Sequence, residues 1–252
     1  MPHESALRTH ALVRHNTMLI LREPGPIASR MIQPLVFVTL LRPLYEAAQG
    51  RIAGTEQAVF GTLVTFSLLA LSIVGGSILT ERVQHTWERL RTTTAHPLEI
   101  LAGKGLPVLG VMLGQQALVI GFGAAVLGLP LDHLQLLGPA LLCWTLALLG
   151  IGAALGTLAR SQSELSAAYD IGGMLLSSLG GALVPLTALP HWVRAVAPVS
   201  PGYWAVQSLH AALAGDAGRC LITDAVLLGF ALAAGLAAAL GLRRGSGRSA
   251  RM

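Results

Sequence analysis

The residues of this chain that could do chemistry fall into two groups. One is a charged segment between two apolar runs, ERVQHTWERLRTTTAHPLEILAGK at 81–104, which holds seven of the 29 formal charges. The other is a set of polar side chains inside apolar runs: Gln33, Gln115, Gln116 and Asp170. The sequence has no HExxH, GxSxG or GxxxxGK[ST] motif. The only lysine, Lys104, follows Gly103 but lacks the other residues of a phosphate-binding loop. These residues therefore favour binding over catalysis.

The composition indicates a membrane protein. Of the 252 residues, 53% are hydrophobic and 12% are charged, and the mean hydropathy is +0.65. A soluble globular domain has roughly a quarter of its residues charged. Long runs of Ala, Leu, Gly and Val exceed the roughly 20 residues that a helix needs to cross a bilayer. Cys143 and Cys220 lie in or beside these runs, which argues against a disulfide framework or a metal cluster.

The apolar runs predict an all-α membrane protein with six transmembrane helices. The predicted spans are 27–45, 57–80, 98–128, 134–159, 165–187 and 220–242, and they form one transmembrane domain over 27–242. Between the last two spans, aromatic residues are interspersed with prolines, a composition that anchoring at the membrane interface also explains: Pro190, Trp192, Pro198, Pro201, Tyr203 and Trp204. The prolines predict short broken helices there, at the outer interface.

The distribution of basic residues predicts the orientation. With a cytoplasmic N-terminus, 13 of the 17 basic residues lie in cytoplasmic segments. The other four are Arg42, Arg51, Arg194 and Arg219. Positive residues near span ends stay on the cytoplasmic side, so both termini are predicted to be cytoplasmic. The net charge of +5 then reflects topology, and we expect no binding to nucleic acid. The basic tail, 243–252, becomes an anchor assisted by anionic lipid.

Residues 1–26 predict an interfacial helix against the inner leaflet. Arginines, glutamates and loosely helical apolar positions are interspersed, and Pro24, Gly25 and Pro26 end the pattern. A partly disordered tail is the alternative. The segment has no continuous apolar core, so we expect no cleavable signal peptide.

The charged loop 81–97 contains a short amphipathic helix by its periodicity. Val83, Trp87 and Leu90 have i, i+4 and i+7 spacing, so they share one apolar face. Pro97 then suits the first turn of span three. From these residues alone, a docking surface for a cytoplasmic partner and a plain connector are equally good interpretations.

The isolated polar residues have two interpretations each. The glutamines at 33, 115 and 116 either line a transport path or form hydrogen bonds between helices. Asp170 acts on a cationic substrate, pairs with Arg160, or reaches the interface. Gly152 and Gly156 form a GxxxG pattern that favours close packing of helices.

Three segments carry a family resemblance. In the loop, ER at 81–82, TWERL at 86–90 and PLEILAGK at 97–104 resemble the cytoplasmic loop of ABC-2 type permeases, the membrane subunits of ATP-binding-cassette exporters. The segment at 21–45, LREPGPIASRMIQPLVFVTLLRPLY, is similar to the first span of the daunorubicin-resistance-type branch. The segment at 189–215, LPHWVRAVAPVSPGYWAVQSLHAALAG, resembles the outer segment of the family.

The resemblance implies a permease without its own ATPase site. A separate nucleotide-binding subunit, which carries ATP and Mg, would dock on a coupling helix formed by Arg82, Trp87, Glu88, Arg89, Leu90 and Arg91. Two copies of the chain, as a homodimer in the bacterial cell membrane, would form the path for a hydrophobic drug or amphiphile. Such efflux would confer antibiotic resistance. Lipid-linked glycan export is the nearest alternative, followed by an ion-coupled carrier or a membrane-embedded enzyme.

The loop departs from the family pattern at three positions. His85 replaces the usual glycine, Thr94 the turn proline, and His96 the serine that would cap span three. Because histidine is a poorer cap than serine, these departures are expected to change the turn geometry of the loop. The two histidines also allow a metal or proton-switch interpretation, but we expect neither a metal nor a cofactor in this chain.

Overall fold

The computed structural model describes residues 2–22, 24–72, 74–76, 79 and 97–245. Its helices are α1 (Pro2–Arg22), α2 (Pro24–Gln49), α3 (Arg51–Leu69), α4 (Pro97–Leu127), α5 (Leu134–Leu158), α6 (Gln162–Leu179), α7 (His191–Val196), α8 (Pro201–Leu213) and α9 (Ala217–Gly245). Two 3-10 helices, Leu186–Ala188 and Ala197–Val199, flank α7. The predicted all-α fold is confirmed, since no strand occurs in these residues.

Among the residues that the structure describes, five helices are long and apolar enough to cross a membrane. They cover Ile27–Gln49, Arg51–Gly76, Gly105–Leu127, Leu134–Leu158 and Ala217–Gly241. Each overlaps a predicted span. The other predicted span, 165–187, falls on α6, which ends at Leu179. A sixth crossing by α6 therefore stays a prediction.

Both ends of α6 have a local cause. At its start, the Ser161 hydroxyl accepts a hydrogen bond from Glu164 N at 3.1 Å, and the Glu164 carboxylate accepts one from Arg160 N at 2.9 Å. This arrangement satisfies backbone donors that a helix start leaves free. At its end, Gly181 has φ +81°, a left-handed conformation that favours glycine. The chain therefore turns away eight residues before the predicted end of the span.

The central helix of the described bundle is α3. Thirteen of its 19 residues are buried, and it contacts α2, α4, α5, α6 and α8. On the other side of α5 lies α9, and the two approach closely, since a Cβ on Gly150 would lie 2.7 Å from the Ala231 carbonyl oxygen. The small residues of α5 thus let it pack between α3 and α9.

The segment between α6 and α9 is broken into short helices, as its prolines predict. Helix α8 begins deep in the bundle. Its second residue, Gly202, lies against Val64, since a Cβ added to Gly202 would be 3.5 Å from Val64 Cγ1. Val64 is near the middle of the span Arg51–Gly76. Its last turn reaches Phe60, whose ring centroid lies 5.2 Å from that of His210. Helix α8 therefore starts inside the bundle and runs back toward the end of α3 that holds Arg51.

Candidate functional site

A packing junction joins α5 and α6 to the last residues of the span Arg51–Gly76, which begins with α3. We call it the junction of α3, α5 and α6. A Cβ on Gly156 would lie 2.7 Å from Gly75 Cα, and one on Gly152 would lie 2.8 Å from Val74 Cβ. The Tyr169 side chain, 2% exposed, fills the space over Gly75. The glycines named from the sequence thus lie where α5 meets α3, and Tyr169 adds α6 to the junction. Nothing in the sequence distinguishes Tyr169, because an aromatic residue in an apolar run is ordinary.

The four polar residues named as path candidates do not come together. Gln116 is buried and donates a hydrogen bond to Thr145 Oγ1 at 3.1 Å, which joins α4 to α5. Gln115 is also buried, whereas Gln33 is exposed on α2. Asp170 is exposed on α6. The contact from Gln116 to Thr145 is a hydrogen bond between helices, and a role of the four residues in a transport path stays a prediction.

Gln57 is a polar residue that the sequence analysis missed. Its amide nitrogen donates to the carbonyl oxygens of Gly181 at 3.0 Å and Ala182 at 2.9 Å. Tyr45 donates its hydroxyl to Leu183 O at 2.5 Å in the same turn. These bonds satisfy three backbone carbonyl groups of the turn that follows α6. A glutamine at the first position of a predicted span was the available signal.

A second missed group lies between α8 and α9. The Ser208 hydroxyl donates to Asp224 Oδ1 at 2.5 Å, and Asp224 is only 8% exposed. The Cys220 thiol lies 3.8 Å from Asp224 Oδ2 and 3.9 Å from the Ser208 carbonyl oxygen. Asp224 stands inside the predicted span 220–242, so the criterion that selected Asp170 applies to it as well.

His210 occupies the last turn of α8. Its ring lies against Phe60, and its Nε2 atom is buried with no hydrogen-bond partner among the described residues. Burial, with a smaller contribution from the charge of Arg219, lowers the pKa of His210 to about 4. His210 is therefore neutral at physiological pH, and it serves as a packed ring rather than a charge.

The helical bundle has a clear family assignment. The sequence profile described as ABC-2 type transporter matches residues 8–214, which reach from α1 to the end of α8. The chain belongs to the ABC-2 type transporter family. The narrower resemblance to the daunorubicin-resistance-type branch stays a prediction.

Two curated relatives of this ABC-2 transporter share part of its sequence. Inner membrane transport permease YhhJ of Escherichia coli (strain K12) is 30% identical over 150 residues, which cover 57% of this chain and 39% of the relative. The protein of the same name from Shigella flexneri matches with the same identity and coverage. The chain thus spans about two fifths of the length of these relatives.

The predicted coupling helix of this ABC-2 transporter lies outside the described residues. This applies to all six predicted docking residues, from Arg82 to Arg91, and to His85, Thr94 and His96. What the structure describes are the junction of α3, α5 and α6, the exposed face of α6, and the contact between α8 and α9. Within the described part of the chain, no group of three or more His, Cys, Asp or Glu side chains could hold a metal ion.

Proposed function

We propose that this chain is the permease subunit of an ATP-binding-cassette exporter that moves a hydrophobic drug or amphiphile out of a bacterial cell. The observation that carries the proposal is the family match over residues 8–214. The sequence contains no phosphate-binding loop, so ATP and Mg would bind to a separate subunit. The names of the two relatives, both inner membrane transport permeases, support the same function and membrane.

The exposed face of α6 supports a path between two copies of the chain. Asp170 is exposed there beside Ile171, which is 63% exposed, and Met174, which is 59% exposed. A carboxylate that faced lipid tails would be costly, whereas one that faces a second copy or a water-filled path can be hydrated. In a homodimer, two such faces would give an apolar path with one acid from each copy. This path suits a cationic amphiphile.

The coupling helix would transmit the energy of ATP. Trp87 and Leu90 would anchor the ATPase subunit, with Arg89 and Arg91 beside them, because aromatic and arginine residues often dominate such interfaces. Closure of two ATPase subunits would move the coupling helices and shift the populations of inward- and outward-facing arrangements.

Co-purification with the ATPase subunit tests the docking step. We expect the triple variant Trp87→Ala, Arg89→Ala and Arg91→Ala to lose the ATPase subunit and to keep its membrane insertion. The matched control is Trp192→Ala with Arg194→Ala, which changes the same residue types in α7, on the predicted outer side. Retention of the ATPase subunit by the triple variant would show that this helix is not the dock.

Inside-out vesicles test the transport step. We expect ATP-dependent uptake of a fluorescent cationic amphiphile into vesicles that contain the permease and the ATPase subunit. Asp170→Asn should reduce uptake of the cation more than uptake of a neutral amphiphile of similar size. Absence of ATP-dependent uptake for drugs and amphiphiles alike would overturn the proposed function.

A further inference from the structure

The buried acid at the contact between α8 and α9 is unusual in its depth. Asp224 lies seven residues into α9, so it is about 10 Å from the start of the helix at the rise of a regular α-helix. That depth falls within the hydrocarbon layer for a span that begins at Ala217. In the described part of the chain, no Lys, Arg or His forms an ion pair with Asp224. Its partners are the Ser208 hydroxyl and the Cys220 thiol.

The two sides of α8 are held in different ways. Toward α6 the backbones are in close contact, because a Cβ on Gly180 would lie 2.6 Å from Tyr203 N. The Ser200 hydroxyl also donates to Leu176 O at 2.6 Å on that side. Toward α9 the polar contacts are made by side chains: the bond from Ser208 to Asp224, and an exposed bond from Arg219 to Gln207 at 2.7 Å. Side-chain contacts of this kind can separate without breaking the backbone hydrogen bonds of either helix.

A carboxylate between two helices changes the free energy of separating them. A purely apolar contact gains nothing from water when it opens. A buried carboxylate regains its hydration, which offsets part of the lost packing. While the contact is closed, the short bond from Ser208 satisfies the acid. This combination suits a contact that alternates between a dry and a wet state.

We propose that the contact between α8 and α9 is an outer latch, which Asp224 holds closed through Ser208 and which opens to water when the transporter faces outward. Asp224 is a positioning residue in this scheme, because it acts on α8 and not on the cargo. The proposal rests on the proposed function for the opening step. The closed latch itself rests only on the geometry of Ser208, Cys220 and Asp224.

Cys220 supplies the reporter, since it is 3% exposed and lies inside the latch. The chain has two cysteines, so Cys143→Ala leaves Cys220 as the only thiol. The probe is a water-soluble maleimide that does not cross the membrane, added from the outer side to the full permease with its ATPase subunit. The maleimide reacts with the thiolate, which needs water, so the labelling rate reports hydration of the latch.

Ser208→Ala tests the closed state. We expect labelling to become about tenfold faster, which corresponds to the loss of one hydrogen bond to a buried acceptor. The matched control is Ser177→Ala, which removes a buried hydrogen bond of the same length, 2.5 Å to Thr65, between α6 and α3. The control should label like the parent. Equal labelling rates in the two variants would overturn the latch.

Asp224→Asn tests the opening step. The amide still accepts the bond from Ser208 but gains less from water, so most of the ATP-induced rise in labelling should be lost. The ratio of rates with and without ATP is the readout, because the intrinsic reactivity of the thiol cancels in it. A merely structural role would leave this ratio unchanged, and that result would overturn the proposal.

The two proposals can fail separately. Faster labelling in Ser208→Ala without any response of the parent to ATP would support the closed latch and contradict the ATP-driven function. A response to ATP without an effect of Ser208→Ala would support the function and contradict the latch.

Discussion

Gly156→Ala tests whether the junction of α3 and α5 depends on contact between backbones. The added Cβ would lie 2.7 Å from both the Cα and the carbonyl oxygen of Gly75. Both atoms belong to the backbone, so neither can turn away as a flexible side chain would. The helices must move apart, and Tyr169, which packs over Gly75, must move with them.

The magnitude follows from two opposing effects. Overpacking a well-packed core costs about 1–3 kcal/mol. The change from glycine to alanine inside a helix returns about 0.5–1 kcal/mol. The difference between the two effects is a net loss of about 0–2.5 kcal/mol in unfolding free energy, with a midpoint of about 1.3 kcal/mol. At about 2–4 °C per kcal/mol for a protein of this size, the midpoint corresponds to a fall of roughly 3–5 °C in the unfolding temperature.

Thermal unfolding in detergent, followed by tryptophan fluorescence, measures this effect. The matched control is Gly121→Ala in α4, where an added Cβ would lie more than 4 Å from every atom of the described residues outside its own helical turn. We expect this control to be as stable as the parent or slightly more stable. An unfolding temperature of Gly156→Ala at or above that of Gly121→Ala would refute the reasoning about backbone contact.

Two further predictions concern buried polar groups. Gln57→Leu removes the amide that donates to the carbonyl oxygens of Gly181 and Ala182. We expect thermal unfolding to show a decrease of about 1–3 kcal/mol in the unfolding free energy. An unchanged value would show that water replaces the amide. For His210, the pKa in the folded state is about 4 and the ordinary value is 6.5, so the unfolded chain binds the proton first as the pH falls. The unfolding free energy should therefore decrease as the pH falls from 6.5 toward 4. At 1.36 kcal/mol for each pH unit, a difference of 2.5 units gives a decrease of at most about 3 kcal/mol. His210→Phe should remove this part of the pH dependence.

The sequence predicts the helices well because long apolar runs in lipid leave the backbone few alternatives. Prolines in the outer segment also predict its short helices. The predicted span 165–187 extends past Leu179, where α6 ends, because Leu183 and Val184 continue the apolar composition. The turn after α6 is stabilised by Gln57 of α3, whose amide donates to the carbonyl oxygens of Gly181 and Ala182. The apolar composition of the segment gives no indication of this contact with another helix.

The polar site was harder to predict than the fold. Asp170 and Asp224 each stand in a predicted span. Asp170 is exposed, whereas Asp224 is only 8% exposed and accepts a hydrogen bond from Ser208 of α8. The difference depends on how deep α8 begins, which is a tertiary property set by Gly180, Gly202 and Val64. A single sequence contains no local signal for that contact.

The contacts of α6 connect the proposed coupling loop to the proposed latch. Tyr169 ties one part of α6 to Gly75 of the α3 span, and Gln57 ties the turn after α6 to the other end of the same span. A displacement of α3 by the loop that follows it would therefore carry α6 as a unit. Ser200 attaches α8 to α6, so α8 would follow as well. Helix α8 also contacts α5 and α9, so its displacement would change the contact between α8 and α9, where Asp224 lies.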